Sequence, residues 1–156
     1  MVLRDHYKRL NEHSYWANQR ILGALRGMDE AEALQEKKLF AHITAAERVW
    51  LTRLEGKDSS KLAIWPAYNL QECEERTEAN AEGYRRYLEG ISDTDFASVV
   101  AYRNSTGQEF RTAVGDILSH VTLHGSYHRG QIASFLRING FTPVGTDFIL
   151  YAREQL

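Results

Sequence analysis

Three of the chain's six histidines fall at His120, His124 and His128, inside a stretch that reads as helix. Side chains four residues apart stack along one helix face. Two imidazoles so placed can share one metal ion. The row also coincides with the apolar stripe of its helix, Val114, Ile117, Leu118, Val121, His124, His128, Ile132 and Phe135. His120 and His128 are separated by roughly 12 Å of helical rise and cannot both reach one ion through bonds of roughly 2 Å. The row therefore offers His120 with His124, or His124 with His128, and either pair needs a third ligand from another helix. His42 is the first candidate, because its own segment carries an inward stripe; His6 and His13 are weaker ones. Three imidazoles and no fourth protein ligand leave one coordination position open, as catalytic sites require. Read without a metal, the same row is a set of hydrogen-bonded bundle histidines or surface histidines.

The elements that must position these residues are long helices. Both prolines, Pro66 and Pro143, lie between periodic segments. Apolar spacings of three and four predict helices over 3–26, 38–55, 69–89 and 113–138. Gly27, Gly56 and Asn139-Gly140 read as stops, and Thr112 as the N-cap of the last long helix. Between the third and fourth helices, Ala97–Tyr102 and Gln108–Arg111 flank the turn cluster Asn104-Ser105-Thr106-Gly107, which predicts a small β-hairpin. Thr146 is a candidate cap for a short terminal helix through Phe148–Tyr151. The expected fold is all-α: a four-helix bundle with long crossover connections, in one domain over 1–156.

Bulk properties exclude several classes. Net charge is −2 and the isoelectric point near 6.3, so no electrostatic case for nucleic acid arises. No apolar run approaches a membrane span. Cys73 is the only cysteine, which rules out an internal disulfide. The N-terminal residues lack the apolar core of a signal peptide, and a cytoplasmic location is expected.

Around the histidines, Glu47 and Gln131 are candidate acceptors for the second ring nitrogens of metal ligands, although Glu47 reads more readily as a solvated helix residue. Arg129 and Gly130 sit off the apolar stripe. Arg129 reads as an anion contact or a surface or interface salt bridge, and Gly130 as a point of close helix packing. Tyr127 could donate a proton, with ordinary packing the simpler reading. Cys73, beside Glu72, Glu74 and Glu75, reads as a half-buried helix residue and not as a nucleophile. Trp16, Trp50 and Trp65 read as core or pocket wall.

The stretch His124-Gly125-Ser126-Tyr127-His128-Arg129-Gly130-Gln131 resembles the H-x-x-x-H-R-G-Q signature of the DinB/YfiT-like superfamily. Ala41-His42-Ile43 with Glu47 and Trp50 resembles that family's second-helix histidine segment, and Tyr15-Trp16-Ala17-Asn18 its first-helix stretch. Asn104, Gly107, Arg111 and Thr112 resemble its hairpin and fourth-helix entry, and Asp147-Phe148 its tail. The resemblance implies a bundle with long crossovers, often dimeric, holding a divalent metal, zinc or nickel first, on His42, His124 and His128. It further implies a metalloenzyme of the thiol-dependent S-transferase kind, or one related to a mycothiol-dependent maleylpyruvate isomerase. A low-molecular-weight thiol and a small electrophile would be its partners, in detoxification or a stress response. A metal-dependent hydrolase and a non-catalytic metal-binding stress-response dimer are the alternatives. No catalytic residue is assigned.

Overall fold

The computed structural model describes residues 2–156. Its first helix, α1 (Leu3–Arg26), buries Ala17, Ile21, Leu22 and Leu25, which continue the stripe expected from the spacing. The chain then turns through Ala33, which holds a left-handed backbone at φ 52°, into α2 (Leu34–Leu54). That helix starts four residues before the expected Lys38. Its first turn buries Glu36, to which Asn139 donates a hydrogen bond, and leaves Leu34 exposed, so the inward apolar stripe does not mark the start. A long connection leads to α3 (Leu70–Glu89), which Asn69 opens with a reciprocal cap: its side chain accepts from the Glu72 amide, and Glu72 accepts from the Asn69 amide.

A short 3-10 turn (Asp93–Ala97) precedes the hairpin, β1 (Val99–Arg103) and β2 (Glu109–Ala113), paired antiparallel from Val99 opposite Ala113 to Arg103 opposite Glu109. Asn104 closes its turn by accepting from the Thr106 and Gln108 amides, and Gly107 supplies the positive φ of 82°. Helix α4 (Val114–Ile138) follows directly. Thr112 does not cap it. That residue belongs to β2, where its hydroxyl meets Tyr102, and the helix enters from extended Ala113 without a side-chain cap. Gly140 at φ 84° closes the far end. The last helix, α5 (Phe148–Glu154), begins after Asp147 and not at Thr146.

Helix α2 packs on α4 and α3, and α1 packs on α3 and α4. Two apolar clusters fill the bundle. One joins Leu22, Leu25, Phe40, Ile43, Ile132 and Leu136; the other joins Leu51, Leu54, Leu88, Val114, Ile117 and Leu118. Buried Asn18, Thr44, Glu47, Thr77, Asn80 and Arg129 form a polar layer, drawn from all four long helices. Among the described residues, no helix is long and apolar enough to cross a membrane.

Candidate metal centre

His42 lies on α2, and His124 and His128 lie one turn apart on α4. The packing of α2 on α4 brings their rings together. The Nε2 atom of His124 is 3.2 Å from Nε2 of His42 and 3.1 Å from Nε2 of His128. Two of the three rings are held from behind. His42 Nδ1–H donates to the Ile64 carbonyl at 2.8 Å, and His128 Nδ1–H donates to Gln131 Oε1 at 2.6 Å. Fixing the proton on Nδ1 leaves a lone pair on Nε2. Lone pairs from His42 and His128 therefore face His124 Nε2, and a single proton there can satisfy only one of them. A cation removes that conflict. Ligands of a tetrahedral ion with bonds of about 2.0–2.1 Å sit roughly 3.3 Å apart, close to the separations found here. Among the described residues, this is the one group of three side chains close enough to share a metal.

The electrostatics favour neutral rings. Burial, reinforced by the neighbouring His128, His42 and His120 rings, pushes the His124 pKa down to about 4. Burial also lowers His42, against the opposing pull of the Ile64 carbonyl. Neutral imidazole is the form that binds metal. Trp65 stacks on His42 with ring centres 3.7 Å apart and planes within 6°. This tryptophan, together with Leu123 and Tyr127, is more than half exposed, so the histidines open onto an apolar rim. Tyr127 sits edge-on to His128.

The remaining sequence candidates are elsewhere. His120 lies beside His124 and edge-on to Trp50, outside the converging set. His13 is buried against α5 and meets the Thr146 carbonyl at 2.8 Å. Gln131 is the expected partner of a ligand-type histidine, whereas Glu47 is not. Glu47 is buried, contrary to its reading as a solvated residue, and accepts from Asn18 at 2.8 Å and from Asn80 at 3.3 Å. Burial raises its pKa, while Asn18, Arg129 and Asn80 pull it back.

Arg129 is likewise no surface residue. It is 1% exposed and donates to Asn18 Oδ1 at 2.9 Å. Gly130 is not a packing contact, since a Cβ there would meet nothing within 4 Å; close approach falls at Gly125, under the Arg129 guanidinium. Cys73 is fully buried, and burial with the nearby Glu72 pushes its thiol up to about 11, consistent with a packing role. The residue that sequence reasoning missed is Ile64: a backbone acceptor leaves no mark in side-chain identity, and only the neighbouring Trp65-Pro66 pointed at that connection.

The model of the family described as "DinB family" matches residues 4–155. Protein DinB of Bacillus subtilis (strain 168) is 27% identical over 165 residues, covering 96% of this chain and 95% of that protein. The crystal structure of a DinB-like protein from Bacillus cereus ATCC 10987 aligns over 83% of this chain and 89% of its own, at 18% identity and a TM-score of 0.48.

Proposed function

The chain belongs to the DinB family, and from that premise we propose that it is a divalent-metal protein whose ligands are His42, His124 and His128, acting as a thiol-dependent S-transferase. The observation that carries the metal reading is the convergence of three Nε2 atoms with two of the Nδ1 protons already committed to Ile64 and Gln131. The thiol chemistry comes from the family resemblance. Zinc and nickel both suit three imidazoles.

Held on these three neutral imidazoles, a divalent cation would supply Lewis acidity that favours the thiolate form of a thiol. The protein's own groups do the rest. Ile64 and Gln131 fix the ring tautomers, and Trp65 holds His42 flat from one side. The rim of Trp65, Leu123 and Tyr127 offers apolar surface on which a small electrophile can rest beside the sulfur. Leu123, Tyr127, Phe135 and Ile138 are the exposed large apolar residues of α4, and a homodimer would cover part of that surface.

The test is the loss of a free thiol toward monochlorobimane, followed with metal-loaded protein and with His124→Ala. Acceleration by the wild type and none by the variant supports the transferase. Equal rates with and without protein overturn it and favour the second reading, a non-catalytic metal clip between α2 and α4. That reading draws on the same geometry, because the three histidines tie two helices whose contact organises the bundle.

A further inference from the structure

The strongest feature outside the histidine centre is on the other side of α4. Ser126 and Gly130 each follow one of the clustered histidines by two residues, which rotates them roughly 200° around the helix. There they line a cleft of about 300 Å³, closed on its second side by residues 143–148. That second wall is fastened to α1, since Arg20 Nε–H donates to the Gly145 carbonyl and His13 meets the Thr146 carbonyl, both at 2.8 Å.

Arg129 borders this cleft without a carboxylate in direct contact. A buried cation ordinarily has a carboxylate against it, because desolvation is offset only by direct pairing. Arg129 has none within ion-pair distance. Its Nη1 donates to the neutral Asn18 amide oxygen, its Nη2 makes a long 3.3 Å contact with Ser126 Oγ, and its buried Nε–H has no partner. Glu47 is hydrogen-bonded to it only through Asn18, although the two charges still attract across the layer. A second guanidinium, Arg137, lines the same cleft from an exposed position, and Asp147 on the rim is the one carboxylate there. Phe148 and Val144 supply an apolar wall. Gly130 leaves the space open, for no neighbour requires its lack of a side chain.

We propose that this cleft binds a small organic carboxylate, with its charge on Arg137 and Arg129 and its apolar body against Phe148. The planar guanidinium fork matches a carboxylate, and a cleft of this size with a few polar groups on an apolar wall suits a small ligand. The site is separate from the histidine centre and does not depend on metal being bound.

Titration calorimetry on the full chain with sodium benzoate, and separately with inorganic phosphate, tests it. Saturable benzoate binding is expected for the wild type and, undiminished, for His124→Ala. Arg137→Ala should weaken it by about tenfold or more, the worth of one charged hydrogen bond. Gly130→Leu, which fills the cleft from an unobstructed position, should abolish it. Both substitutions are at exposed sites and leave the buried layer intact, so they remain informative even where Arg129→Gln fails to fold. The proposal is overturned by any of four results: no saturable benzoate binding, binding unchanged in both cleft variants, binding of phosphate but not benzoate, or binding lost in folded His124→Ala, which would put the carboxylate on the histidines.

Discussion

Asn18 joins Glu47 and Arg129, two of the buried charged residues of the bundle, and its removal is the sharpest probe of the polar layer. The Asn18 amide donates to Glu47 and its oxygen accepts from Arg129, at 2.8 and 2.9 Å. Asn18→Ala removes both bonds at once. Glu47 keeps Asn80 and Arg129 keeps Ser126, each at 3.3 Å, which are the weaker contacts of the set. A hydrogen bond to a charged group is worth about 1.5–3 kcal/mol. Water entering the narrow pocket beside Asn18 and Glu47, which already has about 30 Å³ of space, recovers part of the loss. The net destabilisation is therefore about 3 kcal/mol, or about 6–12 °C in Tm for a chain of this size. Asn18→Asp separates the two bonds, since it keeps the acceptor for Arg129 but sets a second carboxylate against Glu47. At neutral pH its direct pairing with Arg129 offsets part of the repulsion, so it should lose less than Asn18→Ala, and it should recover further as the pH falls and one of the two carboxylates takes up a proton. Thermal and urea unfolding measure both variants. A loss below about 1 kcal/mol for Asn18→Ala, smaller than a single charged hydrogen bond, would refute the claim that this layer is held through Asn18.

Further consequences are equally direct. Gln131→Ala frees the His128 Nδ1 proton from its acceptor and should lower metal affinity about tenfold in a chelator competition; unchanged affinity would mean that water orients the ring as well. Burial raises the Glu47 pKa, so above the ordinary carboxylate range the native chain keeps a proton that the unfolded chain has released. Stability should then fall as pH rises through that window, and Glu47→Gln should flatten the slope; an identical profile in the variant would contradict the assignment. Two glycines on helix interiors should respond in opposite directions in urea unfolding. A Cβ at Gly83 would overlap the buried Leu51 side chain, so Gly83→Ala should lose about 1–2 kcal/mol, whereas Gly130→Ala meets open space and should gain about 1 kcal/mol of helix propensity.

Helical periodicity carried most of the architecture. The bounds of α1 agree with the reading from spacing, and α3 and α4 each begin one residue later than expected. The hairpin was legible in the β-rich runs around Asn104–Gly107. What stayed hidden were elements marked by polar residues in core positions. Buried Glu36 concealed the start of α2, and Thr112, a good cap in isolation, was taken by the β2 ladder. Spacing reads Glu47 as solvated and Arg129 as an anion contact or a surface or interface salt bridge because periodicity sorts by polarity, while a buried charge is decided by partners on other helices, Asn18 and Asn80, that spacing cannot connect. The histidine cluster was partly readable. The one-turn spacing on α4 allowed two pairs, with His42 the first candidate for a third ligand, and family resemblance selected His124 with His128 beside it; the structure brings those three together and leaves His120 aside.

The central claim is that these three imidazoles hold a metal. Its most direct test is metal content per chain of untagged protein by inductively coupled plasma mass spectrometry, beside His42→Ala and His124→Ala. The account predicts about one divalent ion per chain in the wild type, from one three-histidine site, and loss in both variants. A wild type that stays free of metal after incubation with zinc and with nickel, or variants that keep the ion, would contradict it.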